Sequence, residues 1–285
     1  MGIVLGANQY GKAETRVVRI RRDTPRHEIR DLNVSTALRG DFTAAHVAGD
    51  QSAVLPTDTQ KNTAFAYAKK HGVSSPEDYA LALSGRLLDA AAAATGARVA
   101  VDEYAWDRVL VDGEGHDHTF VRRGQEVRTA VVGRTRAAVA VESGFRDLVI
   151  LKSTGSEFKG FLRDEYTTLA ETDDRILATA LDAHWRHRPG ARPGDWDASY
   201  AAVRALVMAT FATTYSRALQ ETLYAMGRAV LEAYDEIAEI SFSAPNKHHF
   251  LVDLAPFGLE NPGEVFVAAD RPYGLIEATV TREGA

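Results

Sequence analysis

Two short segments concentrate groups that can do chemistry. Ser153 to Phe161 is a polar loop carrying two phenylalanines. Pro245-Asn246-Lys247-His248-His249-Phe250 brings hydrogen-bond donors and a titratable base to the approach of a strand. Both have the make-up of pocket walls, and spacing alone does not say for what ligand. If the second segment is a strand, His248 and His249 point to opposite faces, so at most one serves a given site. Other patterns are weaker. Gly113-Glu114-Gly115 opens a dinucleotide-like motif, but His118 stands where the third glycine belongs and no helix follows. His116 and His118 have the alternate spacing of metal ligands on a strand. With Asp112, Glu114 and Asp117 around them, they read better as a charged hairpin tip. Asn33-Val34-Ser35 fits a glycosylation acceptor, which has meaning only on a secretory route.

The totals bound what these groups can serve. The chain has 285 residues, 45% hydrophobic and 25% charged, the balance of a globular protein with a sizeable core. A net charge of -6 argues against a general nucleic-acid binder but is compatible with a local positive pocket for a small anion. There is no cysteine, hence no disulfide framework and no thiolate metal site. No stretch approaches the ~20 apolar residues of a membrane span. Met1 to Gln9 lacks the pattern of a secretory signal, and Arg282-Glu283-Gly284-Ala285 is not a peroxisomal address. A cytoplasmic protein is the expectation.

The elements that must hold the two segments follow from periodicity. Val17 to Arg22 and His27 to Leu38, around Asp23-Thr24-Pro25, predict an antiparallel hairpin. A helix is predicted from Thr57-Asp58 to His71-Gly72, and a second from Ser75-Pro76 to Thr95-Gly96, with Tyr79, Leu83, Leu87 and Ala91 as its apolar stripe. Strands follow at 98–111, 119–121 and 125–132. The second half repeats this order. Strands at 137–141 and 148–152 flank a turn at Ser143-Gly144, and 176–185 is a further strand, with a helix as its rival. Helices at 195–213 and 216–233 and strands at 237–242, 249–254, 264–267 and 275–280 complete the chain. The expectation is an α+β protein of two tandem units, residues 1–135 and 136–285, each an antiparallel sheet with helices on one face.

At the two chemical segments and beyond, the sequence resembles the urate oxidase (uricase) family. An ordered series carries the resemblance. It runs from Tyr10-Gly11-Lys12 through Thr57-Asp58-Thr59-Gln60-Lys61-Asn62-Thr63 to Leu151-Lys152-Ser153-Thr154-Gly155-Ser156-Glu157-Phe158. Gly160 to Leu169, Asp174-Arg175-Ile176-Leu177 and Leu219-Gln220-Glu221-Thr222-Leu223-Tyr224 follow. Pro245-Asn246-Lys247-His248 and Pro272-Tyr273-Gly274-Leu275-Ile276 close the series. The resemblance implies two tandem tunnelling-fold domains, each a four-stranded antiparallel sheet carrying two helices. It also implies a homotetramer with active sites at subunit interfaces, and oxidation of urate by O2 with no cofactor and no metal.

It further implies residue roles, each beside a plainer alternative. Arg175 resembles the substrate-clamping arginine; a salt bridge with Asp173 or Asp174 is its alternative. Gln220 resembles the other jaw, or is a solvated helix position, and Leu219 resembles the neighbour whose backbone N–H touches the substrate. Phe158 resembles the stacking platform, or is core packing; Lys159 follows it where relatives often carry an aromatic residue. Lys12, Thr57 and His248 resemble the catalytic proton relay, although Lys12 could be a solvated strand lysine and Thr57 a helix cap. Asn246 resembles the amide that, with Thr57, holds O2 or water. Asp58 resembles a backbone contact to the substrate, or a first-turn acid favoured by the helix dipole. In the family, Lys12, Thr57 and Asp58 come from one subunit and the rest from its partner. The rival functions are another tunnelling-fold enzyme handling a purine or pterin, which usually needs a metal or a cysteine, and a purine-binding oligomer without catalysis.

Overall fold

The computed structural model describes residues 2–283; Met1, Gly284 and Ala285, on which the reading of the two ends partly rests, lie outside the described residues. The chain forms two compact units, residues 1–145 with 186–200, and residues 146–185 with 201–285.

The first unit is built on β1 (Tyr10–Arg21), β2 (Glu28–Gly40), β3 (Ala94–Val111) and β4 (Glu114–Thr135), neighbours in that order and antiparallel throughout. Alternation drives it: Leu32, Val34 and Leu38 on β2 and Val99 and Val101 on β3 are at most 1% exposed. Helices α2 (Thr57–Lys70) and α3 (Pro76–Ala90) cover this face, α2 against β1 and α3 against β3 and β4. A short α1 (Thr43–Ala48), with no buried residue and no strong periodicity, was not expected. The α3 prediction overran. Its apolar stripe continues to Ala91, but Ala91 is already extended, and β3 starts at Ala94 to pair with Gly40. Strand pairing wins there over the helix propensity of an alanine run.

The second unit holds β5 (Val139–Lys152), β6 (Leu177–His187), β7 (Ile237–Pro245) and β10 (Leu275–Thr281), neighbours in that order; the first residues of β5 and the last of β6 belong to the first unit. Helices α4 (Trp196–Thr213) and α5 (Leu219–Ala233) accompany it, and α5 packs on β7 and β10. Gly227 allows that approach, because a Cβ there would lie 2.4 Å from Val280 Cγ2. The expected turn at Ser143-Gly144 does not form, and β5 runs straight through it. Buried Ser143 donates to Glu77 Oε1 at 2.7 Å, so its hydroxyl is satisfied without a turn. Of the late strands, β8 (His248–Leu251) and β9 (Phe266–Ala269) form a separate antiparallel ribbon.

A buried polar network ties residues 186–200 into the first unit. Arg128 donates to Glu77 at 2.7 Å and to Asp197 at 2.5 Å, and Arg30 donates to Glu103 at 2.6 Å and also to Asp197. His187 lies 3.3 Å from the Ser143 hydroxyl and edge-on to Trp196.

Candidate active site

A cavity of about 790 Å3 lies in the second unit, and all six expected residues of that unit border it: Phe158, Arg175, Leu219, Gln220, Asn246 and His248. Phe158 lies in the loop between β5 and β6, and the other five sit at or within two residues of the end of an element, where backbone direction changes and side chains can converge.

The wall with Phe158 and Arg175 is a loop stapled twice. Phe158 exchanges backbone hydrogen bonds with Thr172 at 2.9 and 3.0 Å, and Arg175 N–H donates to Ser156 O at 2.8 Å. Buried Ser156 forms a parallel bridge with Ser216, whose own N–H donates to Gly155 O. The Arg175 guanidinium lies 5.0 Å from the Phe158 ring centre, a cation–π contact, and Phe161 stacks on Phe158 at 5.0 Å. The salt-bridge alternative fails. Asp174 accepts from Thr154 at 2.7 Å and Gly155 N at 3.0 Å, while Lys159 takes Asp173 at 2.6 Å. Arg175 therefore keeps its fork of donors, and burial lowers its pKa from the ordinary arginine value. Lys159 anchors the loop electrostatically through Asp173 and Glu157. The core-packing alternative for Phe158 fails as well, since the ring is only half-buried at the cavity.

The first turn of α5 also borders the cavity. Leu219 and Gln220 are its first two residues, and the preceding Ala218 provides no side-chain cap. The first N–H groups of a helix lack internal partners and favour an anion. Thr222 Oγ1 donates to Ser216 Oγ at 2.8 Å, which in turn donates to Ala218 O at 3.0 Å, so the Ser156–Ser216 staple also fixes this helix start. Asn246, 9% exposed, is held by backbone bonds to Gly274 O and an isolated bridge to Thr179, leaving its amide at the cavity. His248 opens β8 and stacks on Phe250 at 5.7 Å. His249 also borders the cavity, contrary to the expectation that only one of the pair could. β8 belongs to a two-stranded ribbon with β9 rather than to the larger sheet with one packed face.

Lys12, Thr57 and Asp58 lie in the first unit. Lys12 sits beside a β-bulge, with Glu14 at φ 56. Gly11 is required before it, because a Cβ would lie 1.8 Å from Thr36 O. Fully buried Gln60 accepts from Thr36 Oγ1 at 2.8 Å, and Tyr10 Oη accepts from Leu55 N at 2.9 Å. The first bond ties α2 to β2, where Thr36 lies opposite Lys12, and the second ties the segment before α2 to β1, the strand of Lys12. Thr57 does not cap α2. The cap position is Pro56 and Thr57 is the first helical residue, so its hydroxyl is free of that task. The Asp58 carboxyl is held below its usual range, first by Lys61 and also by the nearby Lys12 charge. Its side chain bonds to Lys61 and Asn62, and its backbone N–H lies in the first turn of α2, where such groups lack internal partners.

Helix α1 starts without a side-chain cap, and the four longer helices divide two and two. Ser75 caps α3 through Asp78 N, and Asp195 caps α4 through Asp197 N and Ala198 N. The starts of α2 and α5, which carry Thr57-Asp58 and Leu219-Gln220, have no side-chain cap. Sequence reasoning missed Gln60 and Ser216, and held Ser156 and His249 only as members of the two pocket-wall segments. Gln60 had a signal, as the lone polar residue on the buried Gln60-Ala64-Ala68 stripe. Among the described residues no cluster of three or more His, Cys, Asp or Glu could hold a metal, and no helix is long and apolar enough to cross a membrane.

The uricase family model matches residues 8–133 and 141–277. A curated uricase of Arthrobacter globiformis is 55% identical over 99% of this chain and 91% of its own. One of Dictyostelium discoideum is 36% identical over 96% of each chain. The crystal structure of the A. globiformis uricase aligns with a TM-score of 0.95, covering 100% of this chain and 97% of that one. Two repeats of family sequence and a shared fold lead to one statement: the chain belongs to the uricase family.

Proposed function

We propose that the protein oxidises urate with O2 and water to 5-hydroxyisourate and H2O2, a step of purine degradation. The observation that carries this is an arginine fork with no carboxylate partner among the described residues, beside an aromatic face, at a cavity also bordered by an uncapped helix start. That is a receptor for a flat anion with donors and acceptors on its edge. Urate lies on Phe158, held by Arg175, the Gln220 amide and Leu219 N–H. Lys12, Thr57 and His248 remove a proton and leave an electron-rich dianion. Two electrons pass from urate to O2 held near Asn246 and Thr57, H2O2 leaves, and water supplies the new hydroxyl at C5. The conjugated substrate is the reductant, so the reading calls on no metal or flavin. Residues 1–135 and 136–285 are the two repeats, in keeping with the halves matched by the family model.

The reading includes a homotetramer in the cytoplasm. In each site, Lys12, Thr57 and Asp58 of one subunit would meet the other six residues from its partner. Loss of urate absorbance with stoichiometric H2O2, in metal-chelated buffer, tests the chemistry. Binding without turnover, or a need for added metal, would refute it. Sedimentation tests the assembly, and a fully active monomer would refute the shared site.

A further inference from the structure

We propose that the β1–β2 hairpin carries a second anion site, a pocket around Arg19 that takes a small tetrahedral oxyanion such as phosphate. The register sets Arg19 opposite Arg30 and Arg21 opposite Glu28, all on the face that includes buried Val17. Like charges directly opposite on paired strands repel, so an arginine pair needs a compensating anion. Arg30 has its own, in Glu103 and Asp197, and donates as well to Ser74 O at 2.6 Å. Arg21 takes Glu28 at 2.6 Å and Asp23 at 3.2 Å. Arg19 is left over: its Nε is shielded from solvent and has no hydrogen-bond partner. Buried polar atoms without partners are rare enough in native proteins to call for a physical explanation.

The surroundings supply the space. A cavity of about 260 Å3 is bounded by Arg19, Arg21, Glu28, Arg30 and the Gly72-Val73-Ser74 loop. A single water occupies only ~30 Å3 of liquid, so the cavity exceeds one solvent molecule. Gly72, at φ 76, keeps the loop low; even a Cβ there would stand 3.7 Å from the guanidinium carbon. Three guanidinium groups and one carboxylate bound a pocket whose unused donors belong to Arg19. A fork of N–H donors matches the oxygen edge of a tetrahedral oxyanion, and an ammonium would not reproduce it. The pocket shares no residue with the set proposed to hold urate.

The test is a calorimetric titration of the full-length protein with inorganic phosphate, at ionic strength held constant with chloride. Parallel titrations use sulfate and acetate. Arg19→Gln should weaken phosphate binding about tenfold or more, Arg19→Lys should weaken it less, and Arg175→Gln should leave this site intact. Sulfate should behave like phosphate and acetate should bind more weakly. Identical isotherms for Arg19→Gln and the parent protein would overturn the site. Equal affinity for acetate would overturn the oxyanion class. A change of sedimenting mass in Arg19→Gln would assign the guanidinium to a contact between chains and overturn the proposal.

Discussion

Replacing Arg175 with Met should separate binding from folding. Asp173 and Asp174 are engaged by Lys159 and by Thr154 with Gly155, so the guanidinium carries its charge without a carboxylate. Burial lowers its pKa, meaning that the charged form is desolvated at a cost to the free protein. Methionine fills similar space without that cost, so the variant should unfold at the same temperature as the parent or slightly higher. Binding should move the other way. Two hydrogen bonds from a cation to an anionic purine contribute about 1.5–3 kcal/mol each, or about 3–6 kcal/mol together. At about 1.36 kcal/mol per tenfold, kcat/KM for urate should fall by about a hundredfold to ten-thousandfold. The assay is steady-state urate loss at fixed O2, with thermal unfolding on the same samples. A kcat/KM within about threefold of the parent would refute the clamp. A large drop in unfolding temperature would instead make Arg175 a structural residue.

Three further outcomes follow from the same structure. Lys12→Met should bind a non-oxidisable urate analogue as the parent does, yet turn over urate about a hundredfold or more slowly; an unchanged kcat would sink the relay. Glu77→Ala should lower stability by about 3–5 kcal/mol in denaturant titrations, because it leaves buried Arg128 short of its fully buried carboxylate partner in the first-unit core. His187, pushed down to about 4 by burial, stays neutral in the native state while the unfolded chain protonates near 6.5. Unfolding therefore binds a proton between those values. That stability is fully present above about pH 6.5 and is lost as pH falls towards about 4, amounting to roughly 3 kcal/mol. His187→Asn should flatten that slope, and an unaltered slope would show that another group sets it.

Much of the scaffold was legible because its signals are local. The β1–β2 hairpin, α2 and α5 follow from alternation or helical spacing and from punctuation at their ends. What stayed hidden depends on partners far along the chain. Ser143-Gly144 looks like a turn until Glu77, 66 residues away in sequence, takes the serine hydroxyl. Ala91 looks helical until Gly40 pairs with Ala94. At the site, spacing found the two pocket walls, Ser153 to Phe161 and Pro245 to Phe250, but not Arg175 or Leu219-Gln220. A single arginine and a helix start carry no pattern of their own, and only resemblance pointed to them. That Arg175 lacks a carboxylate, and that Ala218 gives no cap, are properties of folded geometry.

The interleaving of the two compact units has a consequence for synthesis. Glu77 and Arg128 leave the ribosome early, but Ser143, His187 and Asp197, which complete their network, arrive later, and the first unit closes only at Tyr200. At about 5–20 residues per second, the 55 residues from Arg146 to Tyr200 hold the nascent first unit open for roughly 3–11 s. During that interval a buried-to-be arginine and glutamate wait with part of their shell missing.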